Sequence, residues 1–268
     1  MQDLTLKFGA FAVAALAATA ARAEQFTLIH PEAASGADNA GIAVQADFPP
    51  GAGPFPTVVL ASGQNYHMAL PVLAQTARAL VAEGFAVYRF NWTYMAATPA
   101  GKPSAELAAE IADMRRVVAA ARAEPRVDEA RIAVGGKSLG SVVAWRVFAA
   151  DPALRSGLFL TPLCSRIDKD AAVPRSIAAE AYPGAPTETR ASLFVAGEHD
   201  HLCAAPALHA FGATARGPVR IAVVGGDHGY ENRHDAMTSA QADAERDRNI
   251  AGVARLAASF AADTLRAR

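Results

Sequence analysis

Five stretches of this chain are apolar at nearly every position: TVVLAS (57–62), RIAVGG (131–136), GLFLTP (157–162), ASLFVAG (191–197) and VRIAVVGG (219–226). A strand with one face in water alternates apolar and polar side chains, whereas a strand covered on both faces does not. These runs therefore predict strands buried on both sides. Between most of them lie segments with helical periodicity. Residues 68–83 precede Gly84, and 104–123 place Leu107, Ile111, Met114, Val118 and Ala121 on one stripe before Pro125. Ile250, Val253, Leu256 and Phe260 mark a last helix. QFTLIH, GIAVQADF and FAVYRFN add three more strands, making about eight. Alternating strands and helices predict an α/β fold, a mostly parallel sheet with helices on both faces. No linker divides the chain, and 268 residues are enough for one well-buried core, so residues 24–268 are expected to form a single domain. Residues 163–190 lack strong periodicity and leave room for at most a small cap over one end of the sheet.

Residues 1–23 are expected to lie outside that fold. MQDLTLK is a polar start, FGAFAVAALAATA is an apolar run too short for a membrane helix, and Ala21-Arg22-Ala23 puts small residues where a signal peptidase reads them. This predicts a secretory signal peptide, a mature chain from Glu24, and a periplasmic or secreted location with no membrane span after cleavage. A net charge of −1 argues against nucleic acid or an anionic membrane as the main partner.

The stretch that carries chemistry is GGKSLGS, residues 135–141. Ser138 follows the strand RIAVGG and precedes LGSVVAWRVFAA, whose Val143 and Val147 have helical spacing. This is the strand–turn–helix setting in which a G-x-S-x-G turn exposes a nucleophile. The alternative is a tight turn with an incidental serine. Glycine at 136 and 140 suits a turn in which side chains two positions either side of the serine would collide. The backbone N–H of Leu139, opening the helix, would be one donor to an oxyanion. Lys137 reads as a solvated or packing residue rather than a base. A serine hydroxyl needs a base, and the base an orienting acid. In a parallel sheet both should follow later strands, at their carboxyl ends. ASLFVAG runs into Glu198-His199-Asp200-His201, and VRIAVVGG into Asp227-His228-Gly229.

With GAGPFPTVVLASG, GFAVYRFNW, GGKSLGS, VAGEHD and GGDHGY in this order, most of the mature chain resembles the α/β-hydrolase superfamily, on its dienelactone-hydrolase-like side. The resemblance implies Ser138 as nucleophile, Asp200 as acid, with Glu198 its competitor in the same loop, and His228 as base. A second oxyanion donor in this superfamily commonly lies in a His-Gly loop. Here Ala61-Ser62-Gly63-Gln64 stands in its place, making the Gln64 N–H the candidate, with Tyr66 and His67 expected at the pocket mouth. The implied activity is hydrolysis of a small-molecule carboxylic ester, or of a lactone, thioester or amide, without a cofactor. The competing readings are a catalytically silent binding protein on the same fold and a metal-dependent hydrolase using EHDHLC. That second alternative lacks a spaced partner motif, so no metal site is expected. His30, His209 and His234 read as surface or structural.

Two cysteines remain. Cys164 and Cys203 each sit just past the carboxyl end of a strand, GLFLTP and ASLFVAG. Neighbouring parallel strands lie about 5 Å apart, compatible with a disulfide, and an exported chain favours pairing. Two buried free thiols are the alternative.

Overall fold

The computed structural model describes residues 20–28, 41–96, 101–166, 174–232 and 237–266. Its centre is an eight-stranded sheet. In chain order the strands are β1 (Arg22–Leu28), β2 (Ile42–Phe48), β3 (Phe55–Ala61), β4 (Ala86–Phe90), β5 (Val127–Lys137) and β6 (Ser156–Leu160). After a two-residue pair, β7 (Ser165–Arg166) with β8 (Arg175–Ser176), come β9 (Ala191–Gly197) and β10 (Val219–Val224). The spatial order is β1-β2-β4-β3-β5-β6-β9-β10. β2 is antiparallel to both its neighbours, and every pairing from β4 to β10 is parallel. The sheet is thus the mostly parallel one that the unbroken apolar runs predict.

The helices divide between its two faces. Helices α2 (Ala108–Ala123), α3 (Leu139–Ala150) and α5 (Ala205–Gly212) close one core around Met114, Val118, Trp145, Phe148 and Phe211. Helices α1 (Pro71–Ala82) and α6 (Ser239–Leu265) close the other around Leu73, Leu80, Ile250, Val253 and Phe260. A single helical turn, α4 (Ala178–Ala181), lies in the segment between β8 and β9. Among the described residues, no helix is long and apolar enough to cross a membrane.

Three details differ from the sequence reading. α1 begins at Pro71 rather than at residue 68, because proline suits the first helical position, where its missing N–H has no intrahelical role. On α6 the buried face runs through Ile250, Val253, Ala254, Ala257, Ala258 and Ala261, leaving Leu256 exposed. Alanines, not the large residues alone, set that face. β10 is an edge strand with Val223 exposed, so its apolar run is not covered on both faces. The expected signal peptide lies outside the described residues up to position 19. β1 starts at Arg22, two residues before the expected mature start. His30 and His234 also lie outside the described residues.

Candidate active site

Ser138 stands between the end of β5 and the start of α3, as its N-cap, with φ 55° and ψ −120°. Positive φ is costly for a residue with a Cβ and persists only where the surroundings hold it. Here they do. The Ser138 N–H donates to the Leu160 carbonyl at 2.9 Å, and its own carbonyl accepts from Ser141 N at 2.8 Å and Ser141 Oγ at 2.6 Å. The two glycines are there for space. A Cβ on Gly136 would lie 2.5 Å from the Gly140 backbone, and one on Gly140 would lie 2.5 Å from the Ser62 carbonyl.

His228 and Asp200 arrive from the loops after β10 and β9. His228 Nε2 lies 2.9 Å from Ser138 Oγ. Its Nδ1 lies 2.9 and 3.0 Å from the two carboxylate oxygens of Asp200. Asp200 is buried, and its Oδ1 also accepts from Leu202 N at 2.9 Å. Glu198 is exposed, and Asp227 spends its Oδ1 on the N–H groups of Gly229 and Glu231 at 2.7 and 3.0 Å. Asp227 therefore shapes the turn that carries His228, while Asp200 holds the ring. Tyr230, buried two residues on, donates to the Val195 carbonyl at 2.9 Å and accepts from Thr161 N at 3.2 Å, fastening the same turn to the sheet. The sequence reading missed Tyr230, whose only signal was a lone aromatic phenol at the end of GGDHGY.

A cleft of about 450 Å³ opens beside Ser138, lined by Gln64, Leu139, Leu163, Ser165, Arg166, Ile177, His201 and Leu202. Gln64 and Leu139 thus share a cleft with Ser138. The loop before Gln64 is pinned by Ser62, whose hydroxyl donates to the Phe90 carbonyl and whose carbonyl accepts from Trp92 Nε1 at 2.9 Å. Leu139 and Gly140 open α3 at this turn, where the N–H groups of a helix's first residues have no intrahelical carbonyl four residues back. Tyr66 and His67 do not line this cleft. The Tyr66 hydroxyl accepts from Val72 N at 3.0 Å, and His67 Nδ1 accepts from Ala69 N at 3.1 Å, so both close the turn into α1.

Cys164 and Cys203 are joined by a disulfide with a Cα–Cα separation of 4.6 Å, both fully buried. Around it, the N–H groups of Cys164 and Ser165 both donate to the Leu202 carbonyl, at 2.9 and 2.8 Å. The bond ties one wall of the cleft to the loop that carries Asp200. With Cys203 in a disulfide and Asp200 bonded to His228, EHDHLC holds no convergent ligand set. Among the described residues, no three His, Cys, Asp or Glu side chains are grouped to hold a metal ion.

Two buried polar side chains make contacts that the sequence reading did not anticipate. Lys137 is not solvated: it is 4% exposed, and its ammonium donates to the His228 carbonyl at 3.1 Å. Burial pushes it down to about 8, against the opposing pull of Asp200 and Asp227. Tyr182, from the segment after α4, accepts from Leu163 N at 2.8 Å and lies 2.9 Å from Ser141 Oγ. Because Ser141 donates to Ser138, the Tyr182 hydroxyl is the donor to Ser141. Burial raises its pKa, keeping it a donor across the working range.

The α/β-hydrolase domain model matches residues 55–262. Among solved structures, the chain is similar to the esterase domain of a Rhodothermus marinus protein, with a TM-score of 0.64, 16% identity, and 91% of this chain and 100% of that one covered. It is similar too to an α/β serine hydrolase without a lid from Xanthomonas campestris, with a TM-score of 0.61, 18% identity and coverages of 92% and 96%. Est1E from Butyrivibrio proteoclasticus gives a TM-score of 0.62 at 15% identity, with coverages of 89% and 98%. Identities this low speak for the fold alone. No curated protein matches the chain in sequence. The domain match covers well over half of the residues, and the chain belongs to the α/β-hydrolase family.

Proposed function

We propose that the protein is a serine hydrolase that cleaves carboxylic esters through an acyl-enzyme. The observation that carries this reading is the unbroken chain of contacts from Ser138 Oγ through the His228 ring to the Asp200 carboxylate. In the first step Ser138 Oγ attacks the ester carbonyl while His228 Nε2 takes its proton. Asp200, acceptor-only when ionised, keeps the Nδ1 proton in place and stabilises the imidazolium. The tetrahedral oxyanion is held by the backbone N–H groups of Leu139 and Gln64. His228 returns the proton to the leaving alcohol. Water then enters and attacks the acyl carbon as His228 takes its proton; the bond to Ser138 Oγ breaks, releasing the acid, and His228 returns the proton to Oγ. The esterase domain among the similar folds agrees with this reading. A panel of p-nitrophenyl esters of increasing acyl length tests it. A cleft of about 450 Å³ lies toward the small end of the range for ligand pockets, and Leu139, Leu163, Ile177 and Leu202 give it an aliphatic wall. Turnover is expected to be highest for short acyl groups and to fall as the chain outgrows the cleft. A folded sample that turns over no ester would favour a silent binding protein instead.

We also infer that the chain is exported and cleaved after Ala23. Supporting this are the apolar run ending at Ala20, the Ala-Arg-Ala that follows, and a disulfide suited to an oxidising compartment. The intact mass of protein recovered from the periplasm or medium should correspond to a chain from Glu24, lighter by the two hydrogens lost on forming the bond. The two cysteines are 39 residues apart. Closing a loop of that size stabilises by roughly 4 kcal/mol on a chain-entropy basis, so reduction should lower the denaturation midpoint markedly. A mature chain with two alkylatable thiols would contradict the pairing.

A further inference from the structure

We propose that Lys137 is a positioning residue: its ammonium holds the backbone of His228 against the nucleophile turn, an inference that rests on reading Ser138 and His228 as nucleophile and base. His228 is gripped at two points from one short stretch of chain. Ser138 lies 2.9 Å from its imidazole, and the residue before Ser138 donates to its carbonyl at 3.1 Å. Lys137 and Ser138 are fixed to each other by the end of β5, so the two contacts set both the place and the tilt of the ring. Asp200 supplies a third point at Nδ1.

Packing alone gives no reason for an ammonium here. Placing one where only 4% of the residue is exposed carries a desolvation cost that an aliphatic side chain would avoid. What surrounds it keeps it charged at neutral pH and aims it. Its Nζ sits 4.7 Å from the centre of the Tyr66 ring, which comes from the loop after β3. Asp200, after β9, and Asp227, after β10, supply the attractive charges. The neighbouring strand β6 presents Leu160 at the same level. The backbone carbonyl of His228 accepts its ammonium. With its pKa lowered to about 8, Lys137 is cationic below that pH and neutral above it. A hydrogen bond from a charged donor is about twice as strong as one from a neutral donor, so the grip on His228 loosens as pH rises through that value.

The stability consequence has the opposite sign to the catalytic one. Between about 8 and the ordinary lysine value of 10.5, the folded protein binds fewer protons than the unfolded chain. Stability then climbs with pH across that window, and the charged lysine is a cost below it. A residue kept for stability would not show this pattern.

The test compares the wild type, Lys137→Met and Ser138→Ala, using a p-nitrophenyl ester that the wild type turns over. Methionine matches the length of the lysine stem without its charge. Lys137→Met is expected to lower kcat about ten- to hundredfold, as slight misplacement of a reacting group does. KM should stay within about threefold, because the lysine does not line the cleft. The Tm at pH 7 should not fall. In the wild type kcat should decline above pH about 8, and that decline should be absent in Lys137→Met. Should the variant not fold, the wild-type profile decides alone: a kcat flat to pH 10 overturns the proposal. So does a Lys137→Met enzyme with wild-type kcat, or one whose kcat and Tm fall together. Ser138→Ala separates this failure from that of the function. If Ser138→Ala is dead and Lys137→Met is fully active, only the role of the lysine is lost. If Ser138→Ala is active, the nucleophile assignment goes and the lysine proposal with it.

Discussion

Ser138→Ala and His228→Ala should each lower kcat on a short-chain ester by roughly 10⁴- to 10⁶-fold, and the double variant should be scarcely worse than either single one. The expectation follows from a shared proton. Without His228 the Ser138 hydroxyl has no base, and without Ser138 the imidazole has nothing to deprotonate. The 2.9 Å contact between Nε2 and Oγ makes them one unit. Stability should barely change in Ser138→Ala, since the bonds that hold the turn come from the Ser138 backbone and not from its hydroxyl. Losses that multiply in the double variant would mean that the two side chains act separately.

The second large effect separates two acids that lie one and three residues past the end of β9. Asp200→Asn should lower kcat on the order of 10⁴-fold, because an amide can donate to Nδ1 and so favours the tautomer that leaves Nε2 protonated. Glu198→Gln should change kcat by less than about twofold, since Glu198 is exposed and the ring's carboxylate contacts belong to Asp200. Asp200→Asn carries a folding risk, because the buried carboxylate also accepts from Leu202 N. Circular dichroism on the purified variant distinguishes a folded, inactive protein from an unfolded one. Loss of activity in Glu198→Gln with Asp200→Asn unaffected would reverse the assignment.

The architecture was legible because it is written in local patterns. TVVLAS and RIAVGG have no polar face, and only a sheet covered on both sides accommodates such strands. The serine turn was legible because its steric demands fall on neighbours in sequence. Gly136 and Gly140 must be glycine for Ser138 to sit at positive φ between them. The choice between Glu198 and Asp200 was not settled by residue type, because both are carboxylates in one loop. What separates them is burial, a property of the assembled sheet. Lys137, read as solvated or packing, is buried, and its partner was hidden from the sequence for a similar reason. Its side chain runs inward from the end of β5 to a carbonyl 91 residues away, and no sequence rule couples those positions. Tyr66 and His67, close in sequence to Gln64, were placed at the pocket by proximity alone. The chain turns after Gly63, and their polar atoms bond the start of α1 instead.

Covalent labelling tests the central claim most directly. A fluorophosphonate reacts with a serine only where a base removes the hydroxyl proton and donors stabilise the phosphoryl oxygen. Folded wild-type protein should take up one equivalent, and peptide mass spectrometry should place the adduct on Ser138, with labelling abolished in Ser138→Ala and nearly abolished in His228→Ala. A folded sample that takes up no label, or an adduct found on another serine, would contradict the assignment of Ser138 as the nucleophile.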